Sequence, residues 1–363
     1  MFRSIPTLAL LALATLTIGA ADARASQAEP GQRFPRAQLA RFATHVARHD
    51  GLNRRAVLEV LRHARLQPKI IDDMNRPAER VLQWWQYRQI FLTDRRIDAG
   101  VEFWQEHRDS LERVSAEQGV PPQYIVAILG AETYYGRITG SYRVLDALAT
   151  LAFDYPARAH YFRRELEEFL VLAHREKIDP LSAQGSYAGA MGPLQFMPSA
   201  YLRYGLDGDD DGQRDLFNDW DDIFASVANY LHECGWQAGG PVVADVRIDP
   251  GATFQIDPSN LTLDETIDGL NAQGVRVDTP VPGNTPVVLI LAEQQDGPTY
   301  RVGFNNFHAL TRYNHSALYA MAVDELARAI ALRLTPANPA LTPAAAPTAR
   351  SSGNADRASR SAQ

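Results

Sequence analysis

The chain has 363 residues, 45% of them hydrophobic, a formal net charge of −7 and a single cysteine, Cys234. A negative balance without any long Lys/Arg run excludes the phosphate-neutralising stripe of a nucleic-acid binder, and one cysteine excludes a disulfide within the chain. An exported protein without disulfides needs a large apolar core, which this composition supplies.

Residues 1–25 read as an export signal: Arg3, an apolar stretch from Leu8 to Ala20, then the small-residue sites Ala21-Asp22-Ala23 and Ala23-Arg24-Ala25. The stretch is too short for a convincing membrane span, and no second one approaches that length. No cysteine lies near the signal, so no lipid-modified cysteine is expected and the mature chain should be soluble in a bacterial periplasm. From Arg36 to about Glu117 the periodicity is helical, broken by Asp50-Gly51 and Gln67-Pro68 and carrying the aromatic run Trp84 to Phe91. Residues 26–118 are accordingly expected to form an N-terminal helical domain. Pro121-Pro122 then opens a further helix. Helical patterns resume over Tyr155–Lys177 and Asp222–Glu233, and the Gly/Ser-rich stretch Ser182–Tyr204 between them reads as a shaped loop. Residues 119–238 form the expected core, and 239–304, with short alternating runs such as Val242–Ile248 and Pro286–Leu291, a small β domain. A helical pattern returns at Ser316–Leu334, and a C-terminal helix over 305–334 should rejoin the N-terminal domain. The tail 335–363 lacks bulky apolar residues and is expected to be disordered.

The most informative residue is Glu132. With Ile125, Ile128 and Leu129 it falls at i, i+3, i+4 and i+7, so it shares the face that the apolar residues bury. Poor solvation and the negative end of the helix dipole both favour its protonated form, which suits a general acid near neutral pH. A structural Glu snorkelling from a helix end is the bland alternative.

Asp207-Gly208-Asp209-Asp210-Asp211-Gly212-Gln213 fits the opening of an EF-hand loop, in which oxygens at alternate positions converge on Ca²⁺. The twelfth position is Asn218 rather than Glu, and Asp221 or Asp222 could close a longer loop. Clustered Asp side chains repel one another unless a cation sits among them, so a structural Ca²⁺ is expected on Asp207, Asp209, Asp211, Gln213 and a later acid. No organic cofactor is implied.

These motifs together resemble the membrane-bound lytic transglycosylase B family of murein-cleaving enzymes. The resemblance runs from roughly Trp84 to Leu326 and rests on Gly130–Thr133, Asp146–Leu151, Ser186–Ser199, the Asp loop and Thr311–Ser316. Without a signal-peptide cysteine, the chain resembles the soluble branch. The resemblance implies an α+β, lysozyme-like, mostly helical core with an added helical layer and a β insertion. It also implies non-hydrolytic cleavage of the β-1,4 bond between N-acetylmuramic acid and N-acetylglucosamine in peptidoglycan, leaving a 1,6-anhydromuramic end. Glu132 matches the family's single catalytic acid. Ser186 and Gln195 would hydrogen-bond this Glu or the sugar, and Met191, Phe196 and Met197 would wall the cleft. Tyr87, Arg158, Tyr161, Tyr230, Tyr313 and Asn314 match the saccharide-binding positions. The family's two consecutive arginines after Tyr-Pro are here Ala157 and Arg158. Counting back from the Ser226–Tyr230 helix selects Asp222 as the last Ca²⁺ ligand.

Two rival functions remain at this stage. A muramidase or chitinase on the same scaffold would need a second catalytic carboxylate, and Asp146 and Asp154 both sit beside helix-start patterns where capping is the natural job. A non-catalytic murein-binding protein would not depend on Glu132. The sequence names no protein partner.

Overall fold

The computed structural model describes residues 31–75 and 82–335. The expected export signal and, beyond Thr335, the expected tail lie outside the described residues.

The N-terminal layer is helical: α1 (Arg36–His49), α2 (Arg54–Arg62), α3 (Pro68–Met74), α4 (Trp84–Phe91), α5 (Asp94–Glu106) and α6 (Arg108–Gln118). α1 buries Leu39, Phe42, Ala43 and Val46, an i, i+3, i+4, i+7 stripe. Side-chain caps fix the starts: Asn53 accepts from the amides of Arg55 and Ala56, and Thr93 from that of Arg96.

The core follows with α7 (Pro122–Thr133), β1 (Tyr142–Arg143), α8 (Val144–Asp154), α9 (Ala159–Arg175), β2 (Gln184–Gly185), α10 (Pro198–Tyr204) and α11 (Trp220–Glu233). Every residue from Ile125 to Thr133 in α7 and from Val144 to Ala152 in α8 is buried. These two helices are apolar all round because neighbours cover all their faces. That also explains why α8 escapes a search for amphipathic periodicity.

The β insertion is a five-stranded antiparallel sheet in the order β4-β6-β7-β3-β5. It comprises β3 (Val243–Ile248), β4 (Glu265–Thr266), β5 (Val275–Val277), β6 (Pro286–Gln294) and β7 (Gly297–Gly303), with α12 (Ile267–Ala272) beside it. Alternation along β6 makes it a shared wall. Val288, Ile290 and Ala292 join the main core, while Val287 and Leu289 join a second core with Ile267, Leu270, Val275, Val302 and Phe304.

The expected single helix over 305–334 is two helices, α13 (Asn305–Tyr313) and α14 (Ala317–Leu334). Asn314 is extended, and the Ser316 hydroxyl caps α14 by accepting from the Tyr319 amide, so the polar run Asn314-His315-Ser316 restarts the helix. α14 then packs across α4, α5 and α7.

Asp146 and Asp154 do not act as caps. Asp154 is the last residue of α8, at the wrong end for capping. Asp146 lies in the first turn of α8, where its Oδ1 accepts from the Arg65 amide at 2.7 Å and from the Arg143 guanidinium at 2.7 Å. It thereby joins the chain after α2 to the core across 81 residues of sequence. Asp146→Ala should strand both donors and cost about 3 kcal/mol, read as a lower urea midpoint with an unchanged slope.

Candidate active site

Glu132 is the penultimate residue of α7 and only 6% exposed. The helix stops abruptly, because Tyr134 and Tyr135 both adopt left-handed backbone with φ of 52° and 61°. For residues bearing Cβ this costs about 1–2 kcal/mol each, and local contacts offset it. The Tyr135 hydroxyl donates to the Arg96 carbonyl at 2.8 Å, while the Arg96 guanidinium donates to the Gly130 carbonyl at 2.9 Å. Arg96 also lies 5.1 Å from the Tyr134 and Phe91 ring centres. A cation on the last carbonyls of a helix is favourable. Gly130 makes the approach possible, since a Cβ there would meet the Tyr135 hydroxyl at 2.7 Å.

Tyr319 of α14 donates its hydroxyl to Glu132 Oε1 at 2.7 Å. Burial, and then the charge of Glu132, raise the Tyr319 phenol well above its ordinary pKa, so it stays protonated and serves as a donor. Tyr313 is raised for the same two reasons. Two phenols, Tyr313 and Tyr319, thus feel the Glu132 carboxyl, and Tyr87 lies near enough to Tyr319 to act on it electrostatically.

The Gly-rich loop is tied to this helix end. The Thr133 hydroxyl, next to Glu132, donates to the Pro193 carbonyl at 3.0 Å, and the Tyr313 hydroxyl donates to that of Leu194 at 2.8 Å. Met191 and Phe196 pair through their backbones at 2.9 and 3.2 Å. Gly192, at φ 63°, passes so close to the Leu216 carbonyl that a Cβ would lie 2.3 Å from it. Ser186 Oγ accepts from the amides of Ala188 and Ala190, and the Gln195 side chain donates to the carbonyls of Thr139 and Gly192. These bonds shape the loop itself.

Met191 and Phe196 of the loop are buried, as are Tyr230, Tyr313 and Asn314, with Phe196, Tyr230 and Tyr313 in one ring cluster at 4.9–5.7 Å. Arg158 and Tyr161 stand apart from this group, the guanidinium 4.6 Å over the Tyr161 ring. Arg158 lines a cleft of about 720 Å³ with Trp84, Tyr155, Leu291, Glu293 and His315, a volume suited to a small saccharide. Glu132 does not itself line this cleft. Its donor, Tyr319, directly follows Leu318 of the cleft wall.

Among the described residues the other buried acids have partners of their own. Asp146 holds Arg143, Glu165 accepts from the amide and hydroxyl of Ser199, and Asp324 bonds Tyr124 and Arg328. Asp222 accepts from the amides of Gly208 and Asp215 at 2.6 and 2.7 Å, and Glu167 faces two histidines. Glu293, the only acid among the described residues that line the cleft, was not singled out from sequence.

The Asp loop lies between α10 and α11. Carboxylate oxygens of Asp207, Asp209 and Asp211 come within 4.8 Å of one another, and Asp222 is not part of that group. The backbone amide of Gln213 donates to Asp211 at 2.8 Å. Asp221 pairs with Arg113 on α6.

A family model described as a transglycosylase SLT domain matches residues 35–328. The chain belongs to that family. It is 39% identical over 310 residues to the membrane-bound lytic murein transglycosylase B of Escherichia coli (strain K12), covering 82% of this chain and 83% of that protein. Its fold is similar to the crystal structure of catenated lytic transglycosylase SltB1 from Pseudomonas aeruginosa, with TM-score 0.77, 43% identity, and coverage of 82% of this chain and 98% of that one. It is also similar to the Escherichia coli lytic transglycosylase Slt35 in complex with calcium, with TM-score 0.74, 38% identity, and coverage of 83% and 94%. The fold of this transglycosylase is therefore the lysozyme-like α+β one.

Sequence reasoning missed Tyr319 and Arg96 of the transglycosylase. Tyr319 left a trace, as a polar-tipped ring alone in the apolar run Ala317–Val323. Arg96 left none, since its contact spans 34 residues of sequence. Tyr319→Phe should remove a hydrogen bond to an ionisable group worth about 1.5–3 kcal/mol, lowering kcat roughly ten- to a hundredfold with KM little changed. Arg96→Met should lower both kcat and the melting temperature, because it frees the helix end that aims Glu132. Steady-state kinetics on solubilised glycan strands, beside a melt of each variant, checks both.

Proposed function

We propose that this transglycosylase cleaves the β-1,4 bond between N-acetylmuramic acid and N-acetylglucosamine without water, with Glu132 as its only acid and base. The observation that carries the reading is the single buried carboxyl at the α7 terminus, held by a neutral phenol and facing the Gly-rich loop. Protonated Glu132 gives its proton to the glycosidic oxygen as the bond to the muramic anomeric carbon breaks. The resulting carboxylate then takes the proton of the muramic C6 hydroxyl, whose oxygen bonds that same carbon to give the 1,6-anhydro end. The two transfers return Glu132 to its starting form, and no water enters the balance. The Tyr319 hydrogen bond fixes the carboxyl in both protonation states.

Ser186, Met191, Gln195 and Phe196 support the sugar from the loop side. Tyr87, Tyr230, Tyr313 and Asn314 form the buried floor, and Arg158 and Tyr161 extend the surface along the cleft. Their stacked cation and ring offer a planar face of the kind that carbohydrate rings pack on.

The three convergent carboxylates of the Asp loop fit a hard divalent cation. Asp207, Asp209 and Asp211 would hold Ca²⁺ with the Gln213 carbonyl at the seventh position of the loop. Asp222 would serve as the closing acid, or would brace the loop through the Gly208 and Asp215 amides. The ion supplies rigidity between α10 and α11 and no chemistry at Glu132. No described helix is long and apolar enough to cross a membrane, which agrees with a periplasmic enzyme released after signal cleavage.

A hydrolytic reading is favoured by one observation, the Glu293 carboxylate in the cleft wall. Digestion of isolated murein sacculi followed by mass spectrometry separates the two. Wild type should release muropeptides lighter by one water than hydrolysis products, Glu132→Gln should release none while keeping its fold, and Glu293→Gln should leave the anhydro character of the products unaltered. Reducing-end products from wild type, lost with Glu293→Gln, would establish the hydrolase instead. Calcium is tested separately: after chelation, added Ca²⁺ should raise the melting temperature, with about 2.7 kcal/mol gained at a hundredfold excess over Kd. Asp209→Asn should abolish that shift.

A further inference from the structure

The N-terminal layer carries a second cluster of ligand-type side chains, remote in sequence from both the Asp loop and Glu132. His45 and His49 stand one turn apart on α1, their rings nearly parallel at 9° with centres 5.7 Å apart. Asp50 is the residue that ends α1, and Glu167 reaches the same point from α9. His49 Nδ1 lies 3.1 Å from Glu167 Oε1 and 3.3 Å from Asp50 Oδ1, and His45 Nε2 lies 3.3 Å from the same Glu167 oxygen. The ligand atoms of His49, Asp50 and Glu167 all fall within 4.8 Å of one another.

We propose that this cluster is a binding site for a divalent transition-metal ion of the Zn²⁺ class, which cross-links α1 to α9. The bonding pattern points to an ion rather than to ordinary ion pairs. Glu167 is only 8% exposed, yet its Oε1 accepts no hydrogen bond, and neither does the buried Oδ2 of Asp50. A charge-assisted N–H···O bond closes to about 2.7–2.9 Å, whereas the three separations here are 3.1–3.3 Å. Four ligands at about 2.0–2.1 Å from a tetrahedral ion stand about 3.3 Å from one another. Three separations among the four candidate atoms therefore match that spacing, and His49, Asp50 and Glu167 form the tight group.

The donor types set the selectivity. Imidazole nitrogens beside carboxylates suit Zn²⁺ and its neighbours, while Ca²⁺ takes oxygen donors and fits the Asp loop. Entry is open, since the side chains of His45 and His49 are 60% and 70% exposed. The carboxyl from α9 is the fixed wall and the imidazoles are the movable side. An ion there would fasten the first described helix to the core, where Phe42 of α1 already packs on Phe153 of α8 at 5.6 Å.

The test is calorimetric titration of ZnCl₂ into the Ca²⁺-loaded full protein after transition metals have been stripped from it. One saturable equivalent is expected in the wild type, with a rise in melting temperature on Zn²⁺ addition. His49→Ala should weaken binding by at least about tenfold and abolish the thermal shift, and Glu167→Gln should do the same. His49 is exposed enough for its variant to fold, so the result does not hang on the buried Glu167. Absence of saturable Zn²⁺ binding would overturn the proposal. So would binding of unaltered strength in both His45→Ala and His49→Ala, which would place the ion elsewhere.

Discussion

A carboxyl kept from water at the end of an apolar helix is the constraint around which this protein is arranged. Glu132 cannot be solvated where it stands, so its surroundings must supply what water would, and they do so with the Tyr319 phenol. That requirement fixes the position of α14, which must cross α7 at the right height. It also fixes the end of α7, where two tyrosines take left-handed backbone and Arg96 caps a carbonyl two residues before the acid. The strain and its compensation lie within one turn of Glu132, as expected for a site held in one geometry.

The Gly-rich loop shows the same economy. Its side chains of chemical interest, Ser186 and Gln195, make hydrogen bonds that hold the loop to itself and to Thr139, and outside groups, Thr133 and Tyr313, hold it to the helix end. The loop is thus a rigid piece set against the end of α7 by outside bonds to two of its carbonyls, those of Pro193 and Leu194. Rigid placement of this kind suits the proposed reaction, in which one carboxyl would meet two oxygens in turn without reorganising.

Much of this was legible in the chain before any coordinates. Glu132 announced itself as the one carboxyl in an apolar run ahead of a glycine, and the Asp loop by its spacing, since both are local patterns. The amphipathic N-terminal helices and the strands near Val243 and Pro286 were legible for the same reason. α8 was not, because a helix buried on every side carries no periodic signal. The restart at Ser316 was legible, whereas α13 before it was not. The roles of Asp146, Arg96 and Tyr319 depend on partners 81, 34 and 187 residues away. No window along a sequence contains such pairs, even where one member, as with Asp146, Gly130 and Glu132, lies in a motif that drew attention.

The 187-residue separation between Glu132 and Tyr319 also bears on the order of events in the life of the molecule. Contacts so distant in sequence form late, after the loop-closure entropy of the intervening chain has been overcome. As the polypeptide emerges from synthesis, its first half can fold α7 with the carboxyl in place but without the donor. If Glu132 acts as proposed, the site is therefore complete only when the last helix docks. A nascent or truncated chain carries the acid in an unfinished setting, and the capacity to cut a cell wall arrives with the completed protein.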